Sequence, residues 1–545
     1  MKSIKQLKLD FNERSDYPTK WLEGLELGLD SLWLYPDKSN LQALIAEQHK
    51  LEPEQVFCTN GGDEAIYLLM RIIKETSKLI LPLPAFSQYT WGLDNWSIDT
   101  LLIQPNKDLT IDWPALLLAI QQQPNSTVIL TTPNNPTGES LSLAQIEQVL
   151  SLCQENSSTL FLDEAYIEFS DVPSAKCLLK EYDNLIILRT LSKAFGLAGI
   201  RLGYLLSNSS LLEEFNSRCI PFNVPTLTLQ VAELALSKKA QQDTNQYIEQ
   251  IKANRVTLCN WLNDNNIDFT PCQGNFVLIR TNETRASFIK QSLAKNNIKV
   301  RCFEDELLKG CVRITIPYYL DPLLDALMTI LRPELICFDM DGVLIDTSSS
   351  YDNAIKATVK YFTDATVTDQ DIRSLRSQGG FNNDWVLAQE LVKQQGKDID
   401  LAAITETFQQ YYLGDSNNGF IANEKVLVDP ALTEQLSTIN VAVVTGRPKA
   451  EANTGAEMIG WSDRIVVSDD DVSQSKPSPE GILKVKQQLN NKQSWMLGDT
   501  PDDMQAAIDS DSLAIGVGLA NKQSLYQAGA YWVVDSVNDI KELLA

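Results

Sequence analysis

An alternation of short apolar runs with helical patterns passes through this chain twice, and it breaks once, at Leu331-Arg332-Pro333-Glu334. Before the break, Thr127 to Leu130, Thr159 to Leu162 and Leu185 to Leu188 have strand length and alternate with helical patterns, which predicts an α/β fold. The proline follows an amphipathic stretch and precedes an apolar strand, so it marks a seam. Beyond it, Leu335 to Phe338 and Val441 to Val444 read as buried parallel strands, while Tyr351 to Gln395 carries helical periodicity in Ile355, Val359 and Phe362. The expected layout is one domain over 1–332 and another over 335–545, with a mostly helical cap near 350–430 between the second domain's first two strands. With domains of ~100 to 200 residues, a chain of 545 should hold three or four compact units.

Charge and composition exclude several partners. Lys and Arg total 46 against 71 Asp and Glu, a net charge of -25 that repels nucleic acid and anionic membranes alike. Phosphorylated small molecules are repelled at long range too, so any phosphate site must be built locally from arginines, lysines and helix N-termini. No apolar run approaches the ~18 residues of a membrane span, and the N-terminus lacks the apolar core of a signal peptide. Nine cysteines without a Cys-x-x-Cys pair suit reduced, packed thiols, so a cytoplasmic location is expected. His49 is the only histidine, which removes His-rich metal sites and leaves acid–base work to carboxylates, tyrosines and lysines.

Two groups of residues carry chemistry. Residues 189–203 read Arg-Thr-Leu-Ser-Lys-Ala-Phe-Gly-Leu-Ala-Gly-Ile-Arg-Leu-Gly, preceded by Asn134-Asn135-Pro-Thr-Gly and by Asp163-Glu-Ala-Tyr-Ile-Glu-Phe. Their order and spacing resemble the fold-type I aminotransferases that use pyridoxal 5'-phosphate, and most of all histidinol-phosphate aminotransferase, over about residues 5–332. The resemblance implies a large and a small domain, with Lys193 as the catalytic lysine that holds the cofactor and Asp163 as the acid facing its ring nitrogen. Tyr166 and Asn135 would contact the ring oxygen and Phe86 would stack on the ring. Ser192, Arg201 and the turn Gly61-Gly62-Asp63-Glu64 opening a helix from Ala65 would hold the phosphate, with Gly62 and Asp63 at the helix N-terminus. Tyr35, in Tyr35-Pro36-Asp37, would reach the phosphate of a neighbouring subunit, which implies a homodimer. Arg301 and Arg313 match the family's substrate-contacting arginines.

Residues 336–347 read Ile-Cys-Phe-Asp-Met-Asp-Gly-Val-Leu-Ile-Asp-Thr. A strand followed by Asp339 and Asp341 points both carboxylates to one side, so one can attack phosphorus while the other handles protons. With Thr445, Lys476 and Gly498-Asp499-Thr-Pro-Asp-Asp503, the motif resembles haloacid-dehalogenase-type phosphatases: a Rossmann-like core with an inserted helical cap. That resemblance implies Asp339 as nucleophile and Asp341 as general acid and then base, with Thr445 and Lys476 holding the phosphoryl group. Asp339, Asp499 and the main-chain carbonyl of Asp341 would bind Mg²⁺, and Asp503 would order the shell behind them.

Together the two resemblances imply a bifunctional enzyme of histidine biosynthesis. It would transaminate imidazole-acetol phosphate with glutamate, releasing 2-oxoglutarate, and hydrolyse the resulting L-histidinol phosphate to L-histidinol. The alternative is an aminotransferase, or an amino-acid phosphate decarboxylase, of another substrate joined to a phosphatase for an unrelated phosphorylated metabolite. A scaffold role for one half is a third reading, which the complete residue sets in both halves oppose.

Overall fold

The computed structural model describes residues 6–23, 25–28, 32–378, 381, 383–415 and 418–544. Residues 1–5, on which the expectation about export partly rests, lie outside them. The chain divides into two compact units: residues 1–286 with 297–323, and residues 287–296 with 324–545. The first unit holds a seven-stranded and a three-stranded sheet, and the second a six-stranded sheet with a helical insert. In the second unit, Ile345–Asp346 pairs with Lys425–Val426 across the base of the cap, so insert and core form one body.

The first unit is organised by a seven-stranded sheet in the order Val56–Asn60, Leu202–Leu206, Leu185–Thr190, Thr159–Asp163, Ser126–Thr131, Lys78–Pro82, Thr100–Ile103. Leu202–Leu206 runs antiparallel to both neighbours and the remaining pairs are parallel. Alternation explains why these strands read as continuous apolar runs. Val128, Leu130, Leu160 and Leu162 enter one buried cluster, while Ile129 and Phe161 enter another on the opposite face. A three-stranded antiparallel sheet places Cys311–Thr315 between Arg301–Cys302 and Phe276–Arg280.

In the second unit six parallel strands lie in the order Ile465–Val467, Asn440–Val444, Leu335–Phe338, Ser494–Gly498, Leu513–Val517, Trp532–Val534. Leu335–Phe338 is central, so the residues following it emerge at the carboxyl edge of the sheet, where ligands sit in open α/β folds. The cap comprises helices Tyr351–Thr363, Asp369–Arg376, Asp384–Gln394 and Leu401–Leu413. Tyr351, Ile355 and Val359 form a stripe at helical spacing that packs with Leu387, Leu391 and Phe408 into the cap's own core.

The helix expected from Ala65 begins earlier and spans Gly61–Thr76, so Gly61 to Glu64 form its first turn. Among the described residues no helix is long and apolar enough to cross a membrane, and all nine cysteines are free.

Candidate active sites

Asp163 is the last residue of its strand, Lys193 follows the strand Leu185–Thr190, and Gly62 and Asp63 open the helix Gly61–Thr76. The fold thereby brings Gly62, Asp63, Phe86, Asn135, Asp163, Tyr166, Ser192, Lys193 and Arg201 around one cavity of about 170 Å³, joined by Thr131 and Thr190. One water occupies roughly 10–15 Å³ on the same measure, so a small substituted heterocycle has room there.

Asp163 is the best-defended group in this cavity. Its Oδ2 accepts from the Tyr89 hydroxyl at 2.8 Å and its Oδ1 from the Ala165 amide at 2.9 Å. Burial pushes its carboxyl up to about 6, opposed by those two hydrogen bonds and by Lys193. Such a carboxylate suits a buried cationic N–H partner. Lys193 Nζ donates to the Phe11 carbonyl at 3.1 Å and stands 5.5 Å from the centre of the Tyr166 ring. The Tyr166 hydroxyl accepts from Asn12 Nδ2 at 3.2 Å and Asn135 Nδ2 at 3.4 Å. Arg201, in the left-handed region at φ 56°, pairs with Asp63 beside the start of the helix. A side chain at Gly203 would collide with the backbone of Gly61 and Gly62 at 2.7 Å, so this close strand–helix approach requires glycine.

Three expected residues stand apart from the cavity lining. Arg313 is buried and reaches the lining through Asn135 Oδ1, to which its Nη1 donates, while its Nη2 donates to the Asp10 carbonyl at 2.7 Å. Arg301 is exposed on the neighbouring strand, directly opposite Arg313. Tyr35 is 80% exposed and stacks on Phe222 with ring centroids 4.4 Å apart.

In the second unit Asp339, Asp341, Lys476 and Asp499 line one cleft with Thr500, Gly446 and the cap residues Arg376 and Asp384. Lys476 Nζ donates to Asp339 Oδ1 at 2.6 Å, Asp503 Oδ1 at 2.5 Å and the Val444 carbonyl at 3.1 Å. Carboxylate oxygens of Asp339, Asp499 and Asp503 lie within 4.8 Å of one another. Burial raises the Asp339 carboxyl to about 7; Lys476 pulls it down, while Asp503 and Asp341 push it further up. Burial, with Asp339, Asp503 and Asp341 beside it and only Arg376 opposing, drives Asp499 well above the ordinary carboxylate range. One lysine does not balance this crowd, and an all-oxygen donor set with surplus negative charge fits a hard divalent cation. Asp503 is committed elsewhere, since its Oδ2 accepts from Thr500 N and Oγ1 and closes the capping box of its own helix, Pro501–Asp509. Asp339 and Asp499 are therefore the freer pair. Gly342, at φ +71°, leaves room for Asp499: a Cβ there would lie 2.2 Å from Asp499 Oδ2.

The Asp341 carboxylate turns away from that cluster. Its Oδ1 receives Arg447 Nε at 2.8 Å and Nη2 at 2.6 Å. Arg447 also donates to both Glu424 oxygens, at 3.2 and 3.1 Å, and Glu424 accepts from Ser350 Oγ and the Tyr412 hydroxyl at 2.9 and 3.0 Å. Thr445 is buried, and its Oγ1 accepts from the Arg447 amide at 3.2 Å. Sequence reasoning missed Tyr89, Arg447 and Glu424. Tyr89 follows Phe86 by three residues, and a fully buried tyrosine requires a hydroxyl partner; Arg447 sits two residues beyond Thr445.

Residues 33–329 match the family described as aminotransferase class I and II, and residues 333–511 that described as haloacid dehalogenase-like hydrolase. The chain is 37% identical over 276 residues to a histidinol-phosphate aminotransferase of Xanthomonas campestris pv. campestris (strain 8004), covering 49% of this chain and 75% of that one. Among solved structures, the histidinol-phosphate aminotransferase from Clostridium acetobutylicum aligns at a TM-score of 0.54 and 24% identity, over 59% of this chain and 97% of that one. The enzyme of that description from Sinorhizobium meliloti, in complex with pyridoxal-5'-phosphate, aligns at 0.52 and 23%, over 59% and 90%. These two structures share the fold of the first unit. The chain belongs to the aminotransferase class I and II family, and carries a haloacid dehalogenase-like hydrolase domain behind it.

Proposed function

We propose that residues 1–332 transaminate imidazole-acetol phosphate with glutamate to give L-histidinol phosphate, and that residues 335–545 hydrolyse this ester to L-histidinol. The observation that carries the reading is the presence, in one chain similar to histidinol-phosphate aminotransferases, of a cleft uniting Asp339, Asp341, Lys476 and Asp499. The product of the first reaction is a phosphate monoester, the substrate class of the second.

The cavity around Lys193 fits pyridoxal 5'-phosphate in volume and in donors. When bound, that cofactor supplies an aldehyde for amines and a ring that takes up electrons. Lys193 would hold it and carry protons to and from the substrate carbon; Asp163, braced by Tyr89, would keep the proton on the ring nitrogen. Tyr166 and Asn135 would bind the ring oxygen, Phe86 would cover a ring face, and Ser192, Arg201 and the amides of Gly62 and Asp63 would bind the phosphate. Arg313 and Arg301 would receive the anionic end of the substrate.

In the second site Asp339 attacks phosphorus, forming a bond from its carboxylate oxygen while the ester P–O bond breaks, and Asp341 protonates the departing oxygen. Asp341 then takes a proton from the water that hydrolyses the aspartyl phosphate. Thr445 and Lys476 would hold the phosphoryl oxygens. Asp339, Asp499 and the Asp341 carbonyl would hold Mg²⁺, which neutralises charge.

A homodimer completes the proposal. Trp33, Leu34, Tyr35, Ile220 and Phe222 expose between 57% and 80% of their surface, an apolar patch suited to a second copy, from which Tyr35 would reach the neighbouring cofactor phosphate. The test is phosphate release from L-histidinol phosphate by the full chain with Mg²⁺, against sugar phosphates and phosphoserine, alongside transamination. Lys193→Ala should abolish transamination only and Asp339→Asn hydrolysis only. Indifference to L-histidinol phosphate would detach the second unit from this reaction.

A further inference from the structure

The phosphatase cleft continues past Asp341 into a recess lined by Tyr351, Asn383, Asp384, Trp385, Arg447 and Pro448. Asp341, Asp384 and Gly446 border both parts, so the recess opens where a leaving group protonated by Asp341 must lie. Its charges are unequal. Arg447 is shared by Asp341 and Glu424, and Arg376 by Asp352 and Asp384, at 2.8 and 2.6 Å, so four carboxylates face two guanidinium groups. The Arg376 bond occupies Asp384 Oδ1, and Oδ2 remains as an acceptor. Tyr351 is buried, 5.2 Å from the Arg447 guanidinium and tilted against Tyr412 with ring centroids 4.3 Å apart, whereas Trp385 is only partly buried at the recess wall.

We propose that this recess is a specificity site for an organic cation: Asp384 receives an ammonium or imidazolium group on the alcohol part of the phosphate ester, and Trp385 covers it. The inference rests on the phosphatase reading of the second unit and adds the selection of its substrate. The surplus negative charge attracts a cationic leaving group and opposes one that carries a carboxylate. The aromatic wall adds a face for the cation. An amino-alcohol phosphate meets both halves of the cleft, with its phosphate at Lys476 and its cation at Asp384.

The test compares two esters of nearly equal size that differ in charge, O-phosphoethanolamine and n-propyl phosphate, using the full chain with Mg²⁺. The wild-type chain is expected to favour the aminoalkyl ester in kcat/KM by roughly tenfold or more, and Asp384→Asn to reduce that ratio by roughly tenfold. Trp385→Leu, which leaves the Arg376 pairings in place, should also reduce it. A wild-type ratio near one, or a ratio unchanged in both variants, overturns the proposal while leaving phosphatase activity established. Hydrolysis of L-histidinol phosphate but of neither small ester also overturns the proposal, whereas a wild-type chain that hydrolyses none of the three fails the phosphatase reading itself, and the proposal falls with it.

Discussion

Arg447 places two donors, Nε and Nη2, on a single oxygen of Asp341, at 2.8 and 2.6 Å, and it is almost wholly buried while doing so. The arginine is itself gripped by Glu424, whose other bonds come from Ser350 and from Tyr412 in the cap. The carboxylate proposed to handle the leaving-group proton is thus held in place by a buried arginine that is itself held by the cap. Arg447→Gln should lower kcat for alkyl phosphates by roughly 100-fold, with KM little changed, because a general acid contributes about that much. p-Nitrophenyl phosphate, whose leaving group needs no proton, should lose far less. Equal losses on both esters would show that Arg447 only supports the fold.

Gly342→Ala tests the packing behind the proposed metal site. The new Cβ would meet Asp499 Oδ2 at 2.2 Å on a backbone with φ +71°, so Asp499 must move. Mg²⁺-dependent hydrolysis should fall roughly 10- to 100-fold, the range seen when groups supporting metal ligands are lost. A magnesium titration measures this, with transamination by the same sample as the control that stays constant.

Tyr89→Phe removes the hydroxyl that donates to Asp163 Oδ2 and leaves a buried carboxylate oxygen short of a partner. Stability should drop by about 1–3 kcal/mol. Losing a bond that lowers the Asp163 carboxyl lets burial raise it above its value near 6, which would weaken the hold on a cationic ring nitrogen proposed for it. Transamination should fall by roughly tenfold, equivalent to about 1.4 kcal/mol, and phosphate release should not change.

His49 supplies a pH signature that belongs to no other side chain. Burial, with Arg189 and Lys176 nearby, lowers its imidazole from 6.5 to about 3, and its Nε2 bonds the Tyr204 hydroxyl at 3.1 Å. The unfolded chain takes up this proton below about pH 6.5 while the folded chain does not, so the residue favours folding above that pH and loses this contribution as pH falls toward 3. Labelled histidine gives one set of imidazole resonances, which should stay unshifted from pH 8 to pH 5. Midpoint titration near 6.5 in the folded protein would contradict the burial.

The strands and first-site residues were legible because each signal is local. Continuous apolar runs mark strands buried on both faces, and Asp163, Tyr166, Lys193 and Arg201 follow one another at motif spacing on consecutive elements of the sheet. Tyr89 to Asp163, Glu424 to Arg447 and Arg376 to Asp384 escaped for the opposite reason. Tyr89 meets a partner across 74 residues, and Arg447 meets Asp341 across 106, so only the folded sheet and cap bring them together. The Arg376–Asp384 separation is only 8 residues, yet it spans two cap helices whose approach no periodicity reveals. The early start of the helix at Gly61 was hidden by two glycines that read as a loop.

The central claim is that one chain carries out both reactions in order, and the most direct measurement is inorganic phosphate released from imidazole-acetol phosphate with and without glutamate. Full-length protein, loaded with pyridoxal 5'-phosphate and Mg²⁺, should release phosphate only when glutamate is present, with L-histidinol as the product. Lys193→Ala should stop the release, and Asp339→Asn should leave L-histidinol phosphate to accumulate. Phosphate release that ignores glutamate, or accumulation of L-histidinol phosphate by the wild-type chain, would contradict the account.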